Sequence, residues 1–141
     1  MCPSPWFEHP LRVRYQETDQ MGVVYHANYL NWFEIGRTEL IRSLGMPYQS
    51  IEAKGLLLPV IEADIKFRIP AKYDDSIAIR TRIEEYTNLR LQFASEIVRG
   101  DELLVSGGTR HVWLNREWKP ARIDKAAPDL YELLQKAVKA E

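Results

Sequence analysis

Apolar and polar positions change period several times along this chain, and those changes mark out its elements. The segment LRVRYQ, residues 11–16, alternates Leu11, Val13 and Tyr15 with Arg12, Arg14 and Gln16, the two-residue period of a half-buried strand. Residues 17–25 break the alternation, and Gly22 supplies the permissive backbone that a loop needs. From Asn28 the spacing turns helical. Leu30, Phe33, Leu40, Ile41 and Leu44 recur on one face, while Tyr29, Trp32 and Ile35 make much of the remaining circumference apolar. A helix apolar nearly all round is one enclosed by protein. Asn28 suits its N-cap, and Gly45 followed by Pro47 suits its end. Gly36 inside the helix costs roughly 1 kcal/mol against Ala, so a sheet passing close by is its expected reason.

Strand-like periods follow. IEADIKFRI sets Ile61, Ala63, Ile65, Phe67 and Ile69 on one face and Glu62, Asp64, Lys66 and Arg68 on the other. SIAIRTRIEEY repeats the pattern with Ile77, Ile79, Thr81 and Ile83, and LRLQFASEIV with Leu89, Leu91, Phe93, Ser95 and Ile97. LLVSGGTRHVWLN is apolar on both sides in places, as a central or interface strand is. RGDE before it reads as a hairpin turn. The tail PDLYELLQKAVKAE reads as an amphipathic helix with Leu130, Leu133, Leu134 and Val138 inward. Strand, long buried helix, four antiparallel strands and terminal helix predict an α+β layer fold, one long central helix wrapped by a curved antiparallel sheet. With no repeat, low-complexity tract or linker, residues 1–141 read as a single domain, its core at about 9–123 and its C-terminal helix at about 128–140.

Composition narrows the partners more than the fold. The chain has 141 residues, enough for a core without disulfide or metal. A net charge of −1 gives no electrostatic case for nucleic acid. Cys2 is the only cysteine, which excludes an internal disulfide and weakly favours a reducing compartment. The start MCPSPWFEHP lacks the apolar core of a signal peptide, and GLLLPVI is too short to span a bilayer. The expected location is cytoplasmic.

The chemistry-bearing residues gather where the first strand hands over to the helix. Asp19 has two readings. One is a turn or capping aspartate. The other sets its carboxylate against the unpaired N–H groups of the helix start, a base or nucleophile facing an oxyanion site, with Val23 and Val24 keeping the space dry. Glu17 is a second acid, to be weighed between chemistry and a solvated or salt-bridged side chain. His26 makes no recognised metal spacing with Glu17, Asp19 or His111; it reads as a structural histidine whose backbone N–H matters more than its ring. His9 and His111 have no constellation, and Ser95, Ser106 and Thr109 lack a nucleophile-elbow context. Arg12, Arg14, Lys66, Arg68, Arg80, Arg82, Arg90, Arg99 and Arg110 read singly as solvated positions. Aligned on adjacent strands, several of them would make a ridge for phosphates.

The stretch RYQETDQMGVVYHANYLNWFEIGRTELI resembles the 4-hydroxybenzoyl-CoA thioesterase-like hotdog family, and in particular its acyl-CoA thioesterase branch, which includes Tol–Pal-associated enzymes. The likeness runs from about Leu11 to Ile123. It implies a hotdog fold and hydrolysis of acyl-CoA thioesters with no metal or organic cofactor. It also implies catalytic roles for Asp19 and for the helix-start N–H near His26, with Met21, Gly22, Tyr25 and Asn28 on the substrate. Homodimers joined through their sheets, or homotetramers, follow from the same resemblance. A glutamate-dependent branch of these enzymes carries its acid on the central helix, where Glu34 stands here. Two other classes stay open: a dehydratase or hydratase acting on acyl thioesters, and a non-catalytic acyl-CoA-binding protein.

Overall fold

The computed structural model describes residues 2–138. Five antiparallel strands form one sheet: β1 (Phe7–Arg12), β2 (Val60–Phe67), β3 (Ser76–Tyr86), β4 (Arg90–Arg99) and β5 (Glu102–Val112). Their order across the sheet is β1-β3-β4-β5-β2, so β1 and β2 are the edges. Helix α1 (Asn28–Ser43) packs mainly on β3, β1 and β4. Two short helices, α2 (Tyr48–Ala53) and α3 (Ile123–Ala126), precede the terminal α4 (Pro128–Ala137). Nothing in the apolar spacing announces α2. The last residues expected in α4, 139–140, lie outside the described residues.

The alternating faces of β3 and β4 are as expected. Ile77, Ile79, Thr81 and Ile83 are buried on one strand, and Leu91, Phe93, Ser95 and Ile97 on the next. Two apolar clusters share this face. Trp32, Phe33, Ile79, Ile97 and Leu104 anchor the one under the first half of α1. Ile41, Phe93, Trp113, Leu130 and Leu134 anchor the other, where the terminal helix closes the end of the sheet. Gly36 has the expected reason. A Cβ there would collide with Thr81 Oγ1 and come within 2.7 Å of Ile79 Cγ2. Helix and sheet touch backbone to side chain at that point, and only glycine allows it. Gly45 ends the helix at φ +104°, and Gly100 turns the β4–β5 hairpin at φ +60°.

Three expectations need correction. The first strand lies earlier than LRVRYQ. It pairs Phe7 with Thr81 through Arg12 with Ser76, and residues 15–17 form a 3-10 turn instead. Pro10 conceals it, yet a proline is tolerated on an edge strand, where one N–H need not pair. Second, α1 is not enclosed all round: Leu30 is 43% exposed, and Asn31 and Glu34 are exposed beside it. Third, β2 is not an inward strand. Ile61 and Phe67 are 51% and 53% exposed, because β2 pairs only with β5 and α1 packs chiefly on the other strands.

Candidate active site

The segment between β1 and α1 folds as two turns back to back. The 3-10 turn Tyr15–Glu17 closes when Glu17 Oε1 accepts the Arg14 N–H at 2.8 Å. After it the chain reverses over Asp19–Gly22. The Gly22 N–H donates to the Asp19 carbonyl at 3.1 Å, and the Asp19 N–H to the Val23 carbonyl at 2.8 Å. Gly22 sits at φ +81°, in the left-handed region that its permissive backbone allows. One carboxylate oxygen of Asp19, Oδ1, accepts the Met21 N–H at 2.8 Å. This is an Asx turn, so the bland reading of Asp19 holds. It uses only Oδ1; Oδ2 has no hydrogen-bond donor among the described residues. The returning arm is stitched to the segment after β2, where Val24 N–H donates to the Ala71 carbonyl at 2.8 Å.

Asp19, Met21 and His26 line one cavity of about 210 Å³. Val23, Tyr29 and Phe67 supply apolar wall, and Arg68 stands at its rim. Gly22, Tyr25 and Asn28 do not line it. Tyr25 packs tilted against the His26 ring at 4.5 Å between centroids, and that ring meets Phe67 edge-to-face at 6.4 Å. Tyr29 hydroxyl accepts the Ala71 N–H at 3.1 Å. Burial first, and then the charges of Asp19 and Asp75, push the Tyr29 phenol above its ordinary value.

The helix start differs from the expected cap. Ala27 occupies the cap position and gives no side-chain bond, while a tighter turn leads in, with Asn28 N–H donating to the Tyr25 carbonyl at 2.9 Å. The side chain of Asn28 reaches back instead, its Nδ2 donating to the Glu17 carbonyl at 2.9 Å. Tyr25 N–H donates to that same carbonyl at 2.9 Å. Among the described residues, the backbone N–H groups of His26 and Ala27 have no acceptor. Unpaired N–H groups at a helix start carry partial positive charge and attract an anion or a developing oxyanion.

Glu17 takes a role that the sequence only half offered. It is 6% exposed, and its Oε2 accepts the Trp32 indole N–H at 2.7 Å from inside α1. Burial is the largest influence on its carboxyl and raises it. The bonds from Arg14 and Trp32, with the Arg14 charge, together outweigh burial and hold it below the usual 4.5. The acid is a tether between loop and helix. His111 also has partners where none were foreseen: Nδ1 lies 3.2 Å from the Leu58 carbonyl and Nε2 2.8 Å from Thr109 Oγ1. No spacing rule foretells these contacts, since they cross from β5 to the segment before β2.

Residues 13–136 match the Thioesterase-like superfamily. The chain belongs to that superfamily. A relative named "Putative acyl-CoA thioesterase YneP", from Bacillus subtilis, is 40% identical over 131 residues, which cover 92% of this chain and 95% of the relative. The acyl-CoA thioester hydrolase YbgC of Escherichia coli is 34% identical over 100 residues, covering 71% and 75%. A solved DHNA-CoA thioesterase from Staphylococcus aureus superposes with a TM-score of 0.89 at 33% identity, over 93% of this chain and 89% of that one. The helix held in a five-stranded antiparallel sheet is thus the hotdog fold of these thioesterases.

The arginine ridge is mostly neutralised. Arg80 pairs with Glu96 at 2.8 Å, Arg82 with Glu84 at 3.0 Å, Arg99 with Asp75 at 2.7 Å and Arg110 with Asp64 at 3.0 Å. Arg68, at the cavity rim, has no carboxylate within ion-pair distance among the described residues. None of the described helices is long and apolar enough to cross a membrane.

Proposed function

We propose that the chain hydrolyses acyl-CoA thioesters in the cavity between Asp19 and the start of α1. One observation carries the reading: a carboxylate with a free oxygen and the wall at His26 share a single apolar space, beside N–H groups without acceptors. The thioester carbonyl oxygen is held by those N–H groups, which stabilise the negative charge it gains. Asp19 serves as general base or as nucleophile, and both roles suit a carboxylate. As base it takes a proton from water while the water oxygen bonds to the carbonyl carbon. As nucleophile it forms a mixed anhydride that water then opens. In either case the carbon–sulfur bond breaks and the thiolate leaves, later taking a proton from solvent. Arg68 is the cation at hand for the nucleotide phosphates.

The open edge of β2 supports a homodimer. An edge strand with exposed Val60, Ile61 and Phe67 offers unpaired backbone groups and apolar side chains to a second copy. Sedimentation at micromolar concentration is expected to give twice the chain mass. A monomer there removes the dimer from the reading.

The decisive experiment follows free thiol released from a series of acyl-CoAs by the wild type and by Asp19→Asn. Turnover by the wild type and its collapse in the variant are expected. Loss of enoyl absorbance without thiol release would make the chain a lyase instead, and saturable binding with no turnover would make it a carrier. A single turnover in heavy-oxygen water separates the two roles of Asp19, since only the anhydride route can leave label in the enzyme's carboxylate.

A further inference from the structure

Arg68 belongs to two hollows at once. Besides the Asp19 cavity, it lines a second one of about 300 Å³ on the outer face of the sheet, the face away from α1. The strand register builds this second hollow. Asp64, Gly108 and Ala94 stand abreast on neighbouring strands, with Lys66 and Ser106 in the next row. They alternate with Phe93, Ser95 and Thr109, whose side chains are buried on the other face. Gly108 leaves the floor bare. A Cβ there would come within 2.6 Å of the Phe93 carbonyl oxygen, so the close approach of β4 and β5 keeps a side chain out of the space.

The charges around this hollow are unequal. Its two acids are already neutralised, Asp64 by Arg110 at 3.0 Å and Glu84 by Arg82 at 3.0 Å. Lys66 and Arg68 are exposed, and among the described residues neither has a carboxylate within ion-pair distance. The lining therefore offers two free cations and no free anion. Arg68 also stands at a fixed crossing. Its N–H and that of Ile69 both donate to the Leu104 carbonyl, at 2.9 and 3.1 Å, which pins the backbone where the chain leaves β2. One residue earlier, Phe67 meets His26 and Tyr29 inside the Asp19 cavity.

We propose that the outer hollow receives the phosphates of the coenzyme A half of the substrate, held by Lys66 and Arg68. This rests on the thioesterase reading above. In acyl-CoA a flexible arm separates the thioester from the phosphates, and the shared Arg68 marks its route from Asp19 over the end of β2. The guanidinium fork meets two phosphate oxygens at once, and the ammonium of Lys66 supplies a compact second charge. The Ser106 hydroxyl, opposite Lys66, adds a donor.

The test compares one acyl group carried on CoA and on pantetheine, which keeps the arm and lacks the nucleotide. The wild type is expected to favour the CoA thioester in kcat/KM by about a hundredfold, each charge-assisted contact being worth about tenfold. Lys66→Gln and Arg68→Gln are each expected to cut that ratio about tenfold. Lys72, exposed and close by in sequence, lines neither hollow, and Lys72→Gln is expected to leave the ratio unchanged. Equal kcat/KM for the two thioesters in the wild type overturns the proposal and leaves the thioesterase reading standing. A ratio untouched by Lys66→Gln overturns it too, and so does an equal fall in Lys72→Gln, which would show a diffuse field instead of a site. Absence of thiol from both substrates overturns the thioesterase reading itself. Calorimetry with CoA then decides the hollow on its own: binding about tenfold weaker in Lys66→Gln supports it, and binding equal to the wild type overturns it.

Discussion

The two arms of the segment before α1 each carry an acid, and they bring those acids into opposite surroundings. In the 3-10 arm, Glu17 is buried and both its oxygens are occupied, one by the Arg14 N–H and one by the Trp32 indole. In the reversing arm, Asp19 is half-buried, keeps one oxygen free and lines a cavity. A single residue, Thr18, stands between them. The difference lies in what each carboxylate is asked to hold: a satisfied acid ties the loop to the helix, and an unsatisfied one is left for a ligand. Burial alone does not mark an acid left open to a ligand, since the more buried of the two is the one already spoken for.

The sharpest way to break this comparison is to neutralise each acid in turn. Asp19→Asn keeps the Met21 acceptor and removes the charge. A positioned general base contributes about 10²–10⁴-fold, so kcat is expected to fall by that order with no change in melting temperature beyond a few degrees. A fall of only a few-fold would take Asp19 out of the chemistry. The converse variant, Glu17→Gln, leaves one buried donor poorly met, at a cost of about 1–3 kcal/mol. Urea unfolding is expected to show that loss, and thiol-release assays a much smaller one. If Glu17→Gln damages turnover as badly as Asp19→Asn while stability holds, the two acids act together and the contrast fails.

The same contrast can be sharpened with pH, using a base at the other half of the molecule. Burial, followed by the nearby Arg37 charge, lowers His111 from 6.5 to about 4, and the ring is 1% exposed. The unfolded chain protonates it near 6.5 and the folded one not until about 4, so between those values the unfolded state binds more protons. Stability therefore falls as pH drops through that interval, by about 3 kcal/mol in total. Below 4.5 Glu17 adds to the fall, because its folded carboxyl is held under that value. Its stabilising contribution is present above 4.5 and is lost as pH descends through the folded value. Denaturant unfolding at stepped pH checks both. His111→Gln is expected to flatten the upper slope and Glu17→Gln the lower, and a flat wild-type profile from 6.5 to 4 would show His111 to be accessible to protons.

These outcomes bear on what a sequence can disclose. Period-two alternation found the buried faces of β3 and β4, because each residue there has a sheet neighbour on both sides and the helix above. It misjudged β2, whose alternation is as regular, because alternation reports a preference for burial and not what does the burying. Proline at position 10 hid β1, since the rule against it applies to interior strands. At the site, Asp19 and His26 stood out because they sit where a strand-like run meets a helix start, a local feature. Arg37 and His111 did not, because their surroundings are assembled from α1, α2 and β5, and no short window contains them. Glu17 lay in plain view, yet its partner Trp32 is fifteen positions on.

The smallest effect tests whether the Asp19 turn is tuned for reaction or merely tolerated. A Cβ on Gly22 would touch nothing within 4 Å, so Gly22→Ala carries no steric clash. Its only penalty is the backbone, held at φ +81°, where an L residue costs about 1–2 kcal/mol. That strain can relax only by opening the Asp19–Gly22 turn, which moves the carboxylate relative to the start of α1. Glu17, on the separate 3-10 arm, does not feel it. Stability is thus expected to fall by about 1 kcal/mol. If the turn gives way, kcat should fall by more than that loss accounts for, and the KM for acyl-CoA should stay near its wild-type value. An unchanged kcat at the lower stability would mean that the turn holds its shape under strain, and that Asp19 is positioned by its bond to Met21 rather than by the glycine.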